Sequence, residues 1–284
     1  TAPGFWCRRG RALLVALPGV PGELEAMWRL PVARLLAREC PERAAPAWKI
    51  LRCFGLGESE VQRRVAAVCP AARPGEIGIC AEAWVVAVYL AGWCAARARD
   101  VRAALEPNVF GEDDDTLATV LVRALVRRGS TCAVAESLTG GGLGSALTAV
   151  PGASGAFRGG TIAYAEAEKE ALGVAPEILA VHGAVSAAAA EAPAAAARRR
   201  HGAELGLATS GYAGPGGGAG GDPVGTVYVA AATAAGCRVR RVWVAGGRET
   251  VRQVAVNHAL ALGLEALEEG FRLEAGKNAP AAGT

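Results

Sequence analysis

The stretch AESLTGGGLG, residues 135–144, decides how the central part of this chain folds. It continues the apolar, strand-like run at 131–135 and passes through Ser137, Thr139 and a glycine cluster into a helix. Such a turn places a hydroxyl and free backbone amides at the positive end of a helix, where a phosphate or an oxyanion binds. A plain helix cap with closely packed glycines fits the same spacing, so both interpretations stay open. The stretch is not a Walker loop, because no Gly-Lys-Ser/Thr follows, and Leu147 stands where a dinucleotide-binding loop needs glycine.

Strands and helices alternate around this turn. The acidic cluster at 112–115 is expected to cap a helix over 117–125, which ends at Gly129. Further apolar runs predict strands at 131–135, 160–165 and 205–210, a hairpin of 224–233 with 238–245, and helices at 186–200 and 250–268. This order predicts a layered α/β domain whose loops gather at one end of the sheet.

The first 111 residues are organised differently. Residues 12–38 contain an apolar run, a Pro-Gly turn and an amphipathic helix pattern, which we interpret as the end of a domain whose start is absent. Residues 46–106 alternate strand and helix patterns, and their apolar stretch at 83–96 is interpreted as one buried strand. The predicted organisation is a remnant at 1–38, a small α+β module at 39–111, the α/β domain at 112–272 and a flexible tail at 273–284.

Composition excludes several classes of protein. With 284 residues, 52% of them apolar and 20% charged, the chain can bury a large core and is not a disordered protein. Its net charge of +3, from 30 basic and 27 acidic residues, is too small to indicate a nucleic-acid surface. The eight cysteines form no CxxC pair and the three histidines are isolated, so we expect reduced thiols, no metal site and a cytoplasmic protein. No apolar run is long enough to cross a bilayer, so no membrane association is expected.

A serine nucleophile needs a base, and no histidine lies in an evident partner motif. Lys169 can serve instead if desolvation or a neighbouring charge lowers its pKa. Tyr164, five residues earlier, is placed to relay or orient the proton. By composition alone, a solvated helix lysine flanked by glutamates is the commoner interpretation of Lys169.

Two further features are suited to an anion. The glycine-rich loop at 211–223 can present a row of amides, with Ser210 at its entry, or can be a mobile linker. Arg248 and Arg252 lie one turn apart at the start of the last helix and can clamp a phosphate or carboxylate, although surface solvation also explains them. His182 fits a turn or a cap better than a ligand.

Together these segments resemble the CinA family of competence/damage-inducible proteins. The matching stretches are AESLTGG at 135–141, VPGAS at 150–154, the FRGG-x-x-x-Y run at 157–164 that leads to Lys169 and LGV at 172–174, HGAVS at 182–186, SGYAGPGG at 210–217, PVGTV at 223–227 and GGRETVR at 246–252. Upstream, LPGVPGELEAMW at 17–28 and GLGES at 55–59 look like the tail of the family's first domain and its KH-like middle segment. The resemblance therefore implies a C-terminal α/β domain, a KH-like α+β module before it, and a remnant of a truncated N-terminal domain.

The resemblance also implies an activity, namely hydrolysis of nicotinamide mononucleotide to nicotinate mononucleotide and ammonia in pyridine-nucleotide salvage. It implies that Ser137 is the nucleophile, Lys169 its base and Tyr164 an assisting hydroxyl, without a metal or cofactor. The implied substrate-binding residues are Thr139, Gly140, Gly141, Ser210, Gly211, Gly214 and Arg248. The expected partner is a small nucleotide, and a homodimer is compatible with the family. Nucleic-acid binding is not expected, because the GEIG sequence at 75–78 carries an acid where a phosphate clamp needs a base.

Several residues depart from the family pattern. Leu138 follows the serine where the family usually has cysteine, and Glu166 is expected to raise the pKa of a nearby Lys169 and weaken it as a base. Pro193 is expected to interrupt the helix over 187–200, and the glycine loop has extra glycines at 218, 220 and 221. A catalytically silent nucleotide-binding or interaction module therefore remains the alternative function.

Overall fold

The structure is a computed structural model that describes residues 3–10, 12–40, 48–216 and 222–267. The chain divides into two compact units, Thr1–Ala47 and Trp48–Thr284. In the first unit, an antiparallel hairpin is followed by a nearly continuous helical segment. The amphipathic pattern predicts the helical segment, whereas the strand at 5–9 was not predicted. Its elements are β1 (Phe5–Arg9), β2 (Ala12–Ala16), α1 (Pro21–Met27), a π-helical turn (Trp28–Val32) and α2 (Ala33–Glu39).

The second unit begins with a four-stranded antiparallel sheet in the order β4-β5-β3-β6, covered by helices. Its elements are β3 (Lys49–Phe54), α3 (Glu58–Val68), β4 (Ile77–Glu82), β5 (Val85–Leu90), α4 (Gly92–Ala96), α5 (Ala98–Leu105) and β6 (Val109–Glu112). The apolar faces of α3 and α5 pack on the strands through Val61, Val65, Val101 and Leu105, which are fully buried. This arrangement is the predicted small α+β fold, while the domain boundary at 111/112 stays a prediction.

The prediction of one buried strand over 83–96 is wrong. Ala83 and Trp84, with φ of 47° and 67°, form the turn of the β4–β5 hairpin. The chain then leaves the sheet after Leu90 and enters α4. Apolar composition marks this stretch as mostly interior, but it does not distinguish a strand from a turn or a helix.

The rest of the second unit is the predicted layered α/β fold, built on a five-stranded sheet in the order β11-β10-β9-β7-β8. Its elements are α6 (Leu117–Arg128), β7 (Cys132–Glu136), α7 (Gly142–Thr148), a 3₁₀ turn (Ala153–Gly155), β8 (Phe157–Ile162), α8 (Glu166–Ala171), α9 (Pro176–His182), α10 (Ala187–Arg200), β9 (Leu205–Gly211), β10 (Thr226–Thr233), β11 (Gly236–Trp243) and α11 (Arg248–Leu267). Strands β8, β7 and β9 are parallel, and β10 and β11 form the predicted antiparallel hairpin.

Helix α6 is capped differently from the prediction. Thr116, not the acidic cluster, is the N-cap, because its Oγ1 accepts from the amide of Thr119 at 3.1 Å. Asp115 instead accepts from the Arg123 guanidinium and from the amide of Glu112. The helix ends, as predicted, at Gly129 in the left-handed conformation.

Pro193 does not interrupt α10, which is continuous from Ala187 to Arg200. One face of the helix presents small buried alanines, such as Ala190 and Ala194, to alanines of the central strands. The approach is so close that a Cβ on Gly206 of β9 would lie 2.0 Å from the carbonyl oxygen of Ala194. Tertiary packing of this face therefore outweighs the hydrogen bond that proline removes from the helix.

The order of the parallel strands locates the functional edge of the sheet. The chain runs from β7 to β8 on one side and then crosses to β9 on the other side of β7. Ligands of open α/β sheets bind beyond the carboxyl ends of the strands at such a reversal. The segments that follow β7, β8 and β9 begin at this edge.

A buried histidine joins the α+β part of the second unit to α11. The ring of His258 lies edge-on against Phe54 of β3 and Trp84 of the hairpin turn, at centroid distances of 4.8 and 5.1 Å. Neither of its ring nitrogens has a hydrogen-bond partner among the described residues. Burial, assisted by the charge of Arg240, lowers the pKa of His258 from 6.5 to about 3.

The histidine makes the stability of this unit depend on pH. Between pH 6.5 and pH 3 the unfolded chain binds a proton that the folded chain does not, so acid favours unfolding. We expect the free energy of unfolding, measured with urea, to fall by about 2 kcal/mol more between pH 7 and pH 5 in the wild type than in His258→Leu. Equal pH slopes in the two proteins would contradict this assignment.

Candidate functional site

A cavity of about 250 Å³ opens at the carboxyl edge of the parallel strands. Its lining includes six of the predicted site residues, namely Ser137, Tyr164, Lys169, Gly211, Gly214 and Arg248. These residues come from the segments after β7 and β8, from the last residue of β9 and the segment after it, and from the first turn of α11. The structure therefore brings the predicted serine, lysine and tyrosine to one cavity from positions far apart in the chain.

Ser137 is the first residue after β7, and its backbone continues the sheet for one more bond. Its amide donates to the carbonyl of Thr209 in β9 at 3.1 Å, and its carbonyl accepts from the amide of Gly140 at 3.1 Å. The side chain is partly exposed at the cavity, while Leu138 turns into the core. The tight turn thus fixes the serine backbone and leaves the residue partly exposed at the cavity.

The start of α7 is not free to bind an anion, because the chain supplies its own carboxylate. Glu136 is buried, and its side chain accepts from the amides of Gly141, Leu143 and Gly144 at 3.0, 2.9 and 2.8 Å. Of the two interpretations left open for this turn, an anion site or a helix cap, the structure favours the cap, since an internal carboxylate already accepts from these three amides and complements the helix dipole.

We expect Glu136→Gln to lower the free energy of unfolding by about 2–4 kcal/mol, because a buried amide side chain cannot accept all three bonds and turns an NH₂ group toward a donor. Urea unfolding followed by circular dichroism measures the change. The exposed Glu177→Gln substitution, in the first turn of α9, is the matched control. A similar, small effect of both substitutions would contradict the capping role.

Lys169 is buried, with only 4% of its surface exposed, so its interpretation as a solvated helix lysine is wrong. Its Nζ donates to the carbonyl of Ala184 at 3.0 Å, and Ser210 Oγ donates to the same oxygen at 2.8 Å. Burial lowers the pKa of Lys169, and the charge of Glu166 opposes this without reversing it. Desolvation thus outweighs the carboxylate that was expected to raise the lysine pKa.

Tyr164 and Arg248 form a pair at the mouth of the cavity. One guanidinium nitrogen of Arg248 donates to Tyr164 Oη at 2.9 Å and the other to the carbonyl of Gly214 at 2.7 Å. Tyr164 is 58% exposed, and Arg248 is also exposed. Arg248 therefore links the tyrosine to the glycine loop and presents a positive charge to an entering ligand. The extra glycines at 218, 220 and 221 lie outside the described residues.

Four predicted site residues do not line this cavity. Thr139 is buried and pairs through Oγ1 with Oγ1 of Thr209 at 2.8 Å, and Ser210 is buried with its hydroxyl on Ala184. Gly140 and Gly141 shape the turn with φ of 58° and 97°. Their assignment to substrate binding stays a prediction, and the contacts they make are within the protein.

Arg252 does not converge with Arg248 on an anion. Its Nε and Nη2 donate to the carbonyls of Leu138 and Thr139 at 3.2 and 2.9 Å, and its Nη1 pairs with Glu249 at 2.6 Å. It lines a larger cleft of about 560 Å³ that also borders Thr139 and Gly142. Arg252 therefore holds the loop that follows Ser137, and it does so from outside the smaller cavity.

Sequence reasoning assigned no role to Glu136 and none to the carbonyl of Ala184. A signal for Glu136 was present, since a glutamate at the end of an apolar strand, directly before a glycine-rich helix start, is suited to capping that helix. No signal in the sequence marks a backbone carbonyl as the acceptor for a lysine fifteen residues away.

Residues 3–10, 12–40, 48–216 and 222–267 contain no group of three or more His, Cys, Asp or Glu placed to hold a metal ion. Within the same ranges, no helix has the length and apolar content needed to cross a membrane.

Comparison with known proteins gives a consistent result. The model of the CinA C-terminal domain matches residues 114–267. A CinA-like protein of Myxococcus xanthus is 40% identical over 276 residues, and one of Frankia casuarinae is 40% identical over 280 residues; each match covers 92% of this chain. The chain spans just under two thirds of their lengths, 65% and 64%.

Solved structures are similar to about half of this chain. A crystal structure of a CinA superfamily protein from Klebsiella pneumoniae has 38% identity and a TM-score of 0.52, and the match covers 53% of this chain and 95% of that one. One from Escherichia coli has 34% identity and a TM-score of 0.51, over 52% of this chain and 88% of that one.

Proposed function

The chain belongs to the CinA family, and on that premise we propose that its α/β domain hydrolyses the carboxamide of nicotinamide mononucleotide. The observation that carries the proposal is the cavity lined by both Ser137, which is partly exposed, and Lys169, which is buried. Burial lowers the pKa of Lys169 and so increases the fraction of neutral amine, which is the form that accepts a proton. A serine and a neutral lysine are a sufficient pair for amide hydrolysis.

In the proposed reaction Ser137 Oγ attacks the amide carbon, and Lys169 Nζ takes the hydroxyl proton. A neutral amine that donates one hydrogen to the Ala184 carbonyl keeps its lone pair for this proton. The C–N bond then breaks, the lysine ammonium gives its proton to the departing nitrogen, and ammonia leaves. Water, activated by the same amine, hydrolyses the nicotinoyl ester on Ser137 and regenerates the serine.

The mouth of the cavity fits the anionic end of such a substrate. Arg248 supplies a fixed positive charge there, and the glycine loop at Gly211 and Gly214 allows close approach of a ligand. Tyr164, held by Arg248, presents its hydroxyl to the ligand or to Lys169. We infer that these groups place the phosphate at the mouth and the carboxamide against Ser137.

Ammonia release from nicotinamide mononucleotide by the purified chain tests this function. We expect turnover with the mononucleotide and at least tenfold lower kcat/KM with nicotinamide riboside, because the riboside lacks the phosphate that Arg248 would bind. Arg248→Met should reduce this preference for the mononucleotide, whereas Arg241→Met, on β11 and paired with Asp222, should not. Equal activity toward both compounds would contradict the phosphate assignment.

The alternative is a catalytically silent nucleotide-binding or interaction module. The buried, pKa-lowered lysine favours the enzyme, because a binding module has no need of a desolvated amine beside a hydroxyl. Saturable binding of the mononucleotide, measured by calorimetry, with no ammonia released over hours would favour the silent module instead.

A further inference from the structure

The loop at 137–140, which carries the proposed nucleophile, contains a series of hydrogen-bonded peptide groups. The series runs from Arg252 to Leu138, the residue after the nucleophile. We propose that the backbone amide of Leu138 is the oxyanion donor of this site and that Arg252 is the positioning residue which orients and polarises it. The inference rests on the proposed serine chemistry but not on the identity of the substrate.

The first link is the contact of Arg252 with the carbonyl oxygen of Thr139, which accepts from Nη2 at 2.9 Å. The same peptide group carries the amide of Gly140, which donates to the carbonyl of Ser137 at 3.1 Å. The peptide group of Ser137 in turn carries the amide of Leu138. In a trans peptide the C=O and N–H point in opposite directions, so each bond in this chain fixes where the next N–H points.

The amide of Leu138 is the last donor in this series of hydrogen bonds. It has no hydrogen-bond acceptor in the described ranges of the protein, although Leu138 lines the cavity together with Ser137 and Lys169. An unpaired amide costs free energy when it is shielded from water, and an oxyanion relieves that cost. Its position directly after the serine brings it next to the atom on which negative charge develops.

Most other donors near the serine are already used. The carboxylate of Glu136 occupies the amides of Gly141, Leu143 and Gly144. The amide of Gly142 donates to the carbonyl of Thr139. Of the amides at 138–144, only those of Leu138 and Thr139 have no acceptor among the described residues. The Leu138 amide directly follows the serine and ends a series of hydrogen bonds that begins on a guanidinium, so we assign the oxyanion to it.

Arg252 is suited to the role because it is held in place and always charged. Its Nε also donates to the carbonyl of Leu138, and Glu249 fixes its Nη1 from the solvent side. Consecutive hydrogen bonds polarise one another, so a cation at one end strengthens the donor at the other. The guanidinium acts through two peptide groups and does not line the serine cavity.

A fluorophosphonate probe measures this effect without the natural substrate. Ser137 Oγ forms a bond to phosphorus, the P–F bond breaks with loss of fluoride, and the serine proton passes to Lys169. We expect Arg252→Met to lower the rate of labelling about tenfold and Arg252→Lys to fall between it and the wild type. Arg241→Met is the matched control and should label within twofold of the wild type, since Arg241 lies on β11 and pairs with Asp222.

A backbone substitution tests the donor itself. Replacing Leu138 with its α-hydroxy acid, leucic acid, changes one N–H to an ester oxygen and leaves every side chain intact. We expect this protein to label about a hundredfold more slowly, the size of effect that follows loss of one oxyanion donor. Thermal unfolding of each protein shows whether it is folded. If Arg252→Met does not fold, the leucic acid variant still tests the inference.

The outcomes separate this inference from the proposed function. Labelling of Ser137 that depends on Arg252 and on the Leu138 amide, without ammonia release from the mononucleotide, would support the inference and overturn the proposed substrate. Wild-type labelling rates in both Arg252→Met and the leucic acid variant would overturn the inference even if the mononucleotide is hydrolysed. Absence of labelling at Ser137 in the wild type would overturn both.

Discussion

Replacing Lys169 with methionine is expected to lower the rate of ammonia release about a thousandfold while raising the free energy of unfolding. The activity falls because Ser137 loses the group that accepts its proton and later returns it to the leaving nitrogen. Stability rises because methionine is apolar and nearly as long as lysine, whereas Lys169 is only 4% exposed. Burial of the charged amine of Lys169 is unfavourable, and the substitution removes that cost. The expected gain is about 1 kcal/mol, typical of a substitution that relieves an unfavourable group at an active site.

The pH dependence gives the same assignment a second test. The wild-type rate should rise with pH up to the lowered pKa of Lys169, because only the neutral amine is a base. Stability should also rise with pH in the window between that pKa and the ordinary value for lysine, where the unfolded chain binds more protons. Both slopes should vanish in Lys169→Met.

The control for size and charge is Lys169→Arg, which keeps a cation and has a guanidinium that does not lose its proton. It should be as inactive as the methionine variant but less stable than the wild type. If Lys169→Met kept a tenth or more of the wild-type rate, or were clearly less stable than the wild type, Lys169 would not be the buried base proposed here.

The general architecture could be predicted because it depends on long periodic patterns. Alternating apolar strands and amphipathic helices identified the α/β layers, and Gly129 marked the end of α6. The errors occurred where local rules compete with packing. Pro193 sits inside a helix that small residues hold against the sheet, and the apolar stretch at 83–96 contains a strand, a turn and a helix.

The candidate site was predictable in its composition but not in its electrostatics. Motif spacing brought Ser137, Tyr164 and Lys169 together as candidates, and the cavity contains all three. Whether Glu166 or burial controls the pKa of Lys169 depends on the depth of the side chain, which sequence does not give. The occupation of the α7 start by Glu136 likewise depends on which way one side chain turns at the end of β7.

Replacing Ser137 with alanine is expected to have the largest effect, a loss of at least about ten thousandfold in the rate of ammonia release. The substitution removes the atom that forms the bond to the carboxamide carbon, so no covalent route remains. It should leave the fold unchanged, because the contacts that hold this residue, with Thr209 and Gly140, use only its backbone. Affinity for the product nicotinate mononucleotide should therefore stay within a few-fold of the wild type.

The decisive measurement is the covalent intermediate. Acid quenching of the wild type during turnover should trap a nicotinoyl mononucleotide ester on Ser137, found by mass spectrometry of the peptide that contains it. Ser137→Ala should show no adduct, and Lys169→Met should accumulate none on the time scale of wild-type turnover, because Lys169 acts before the ester forms. An alanine variant that still released ammonia at a tenth of the wild-type rate would show that water attacks directly. Lys169 would then be the base for that water, and the serine would contribute only its backbone to the site.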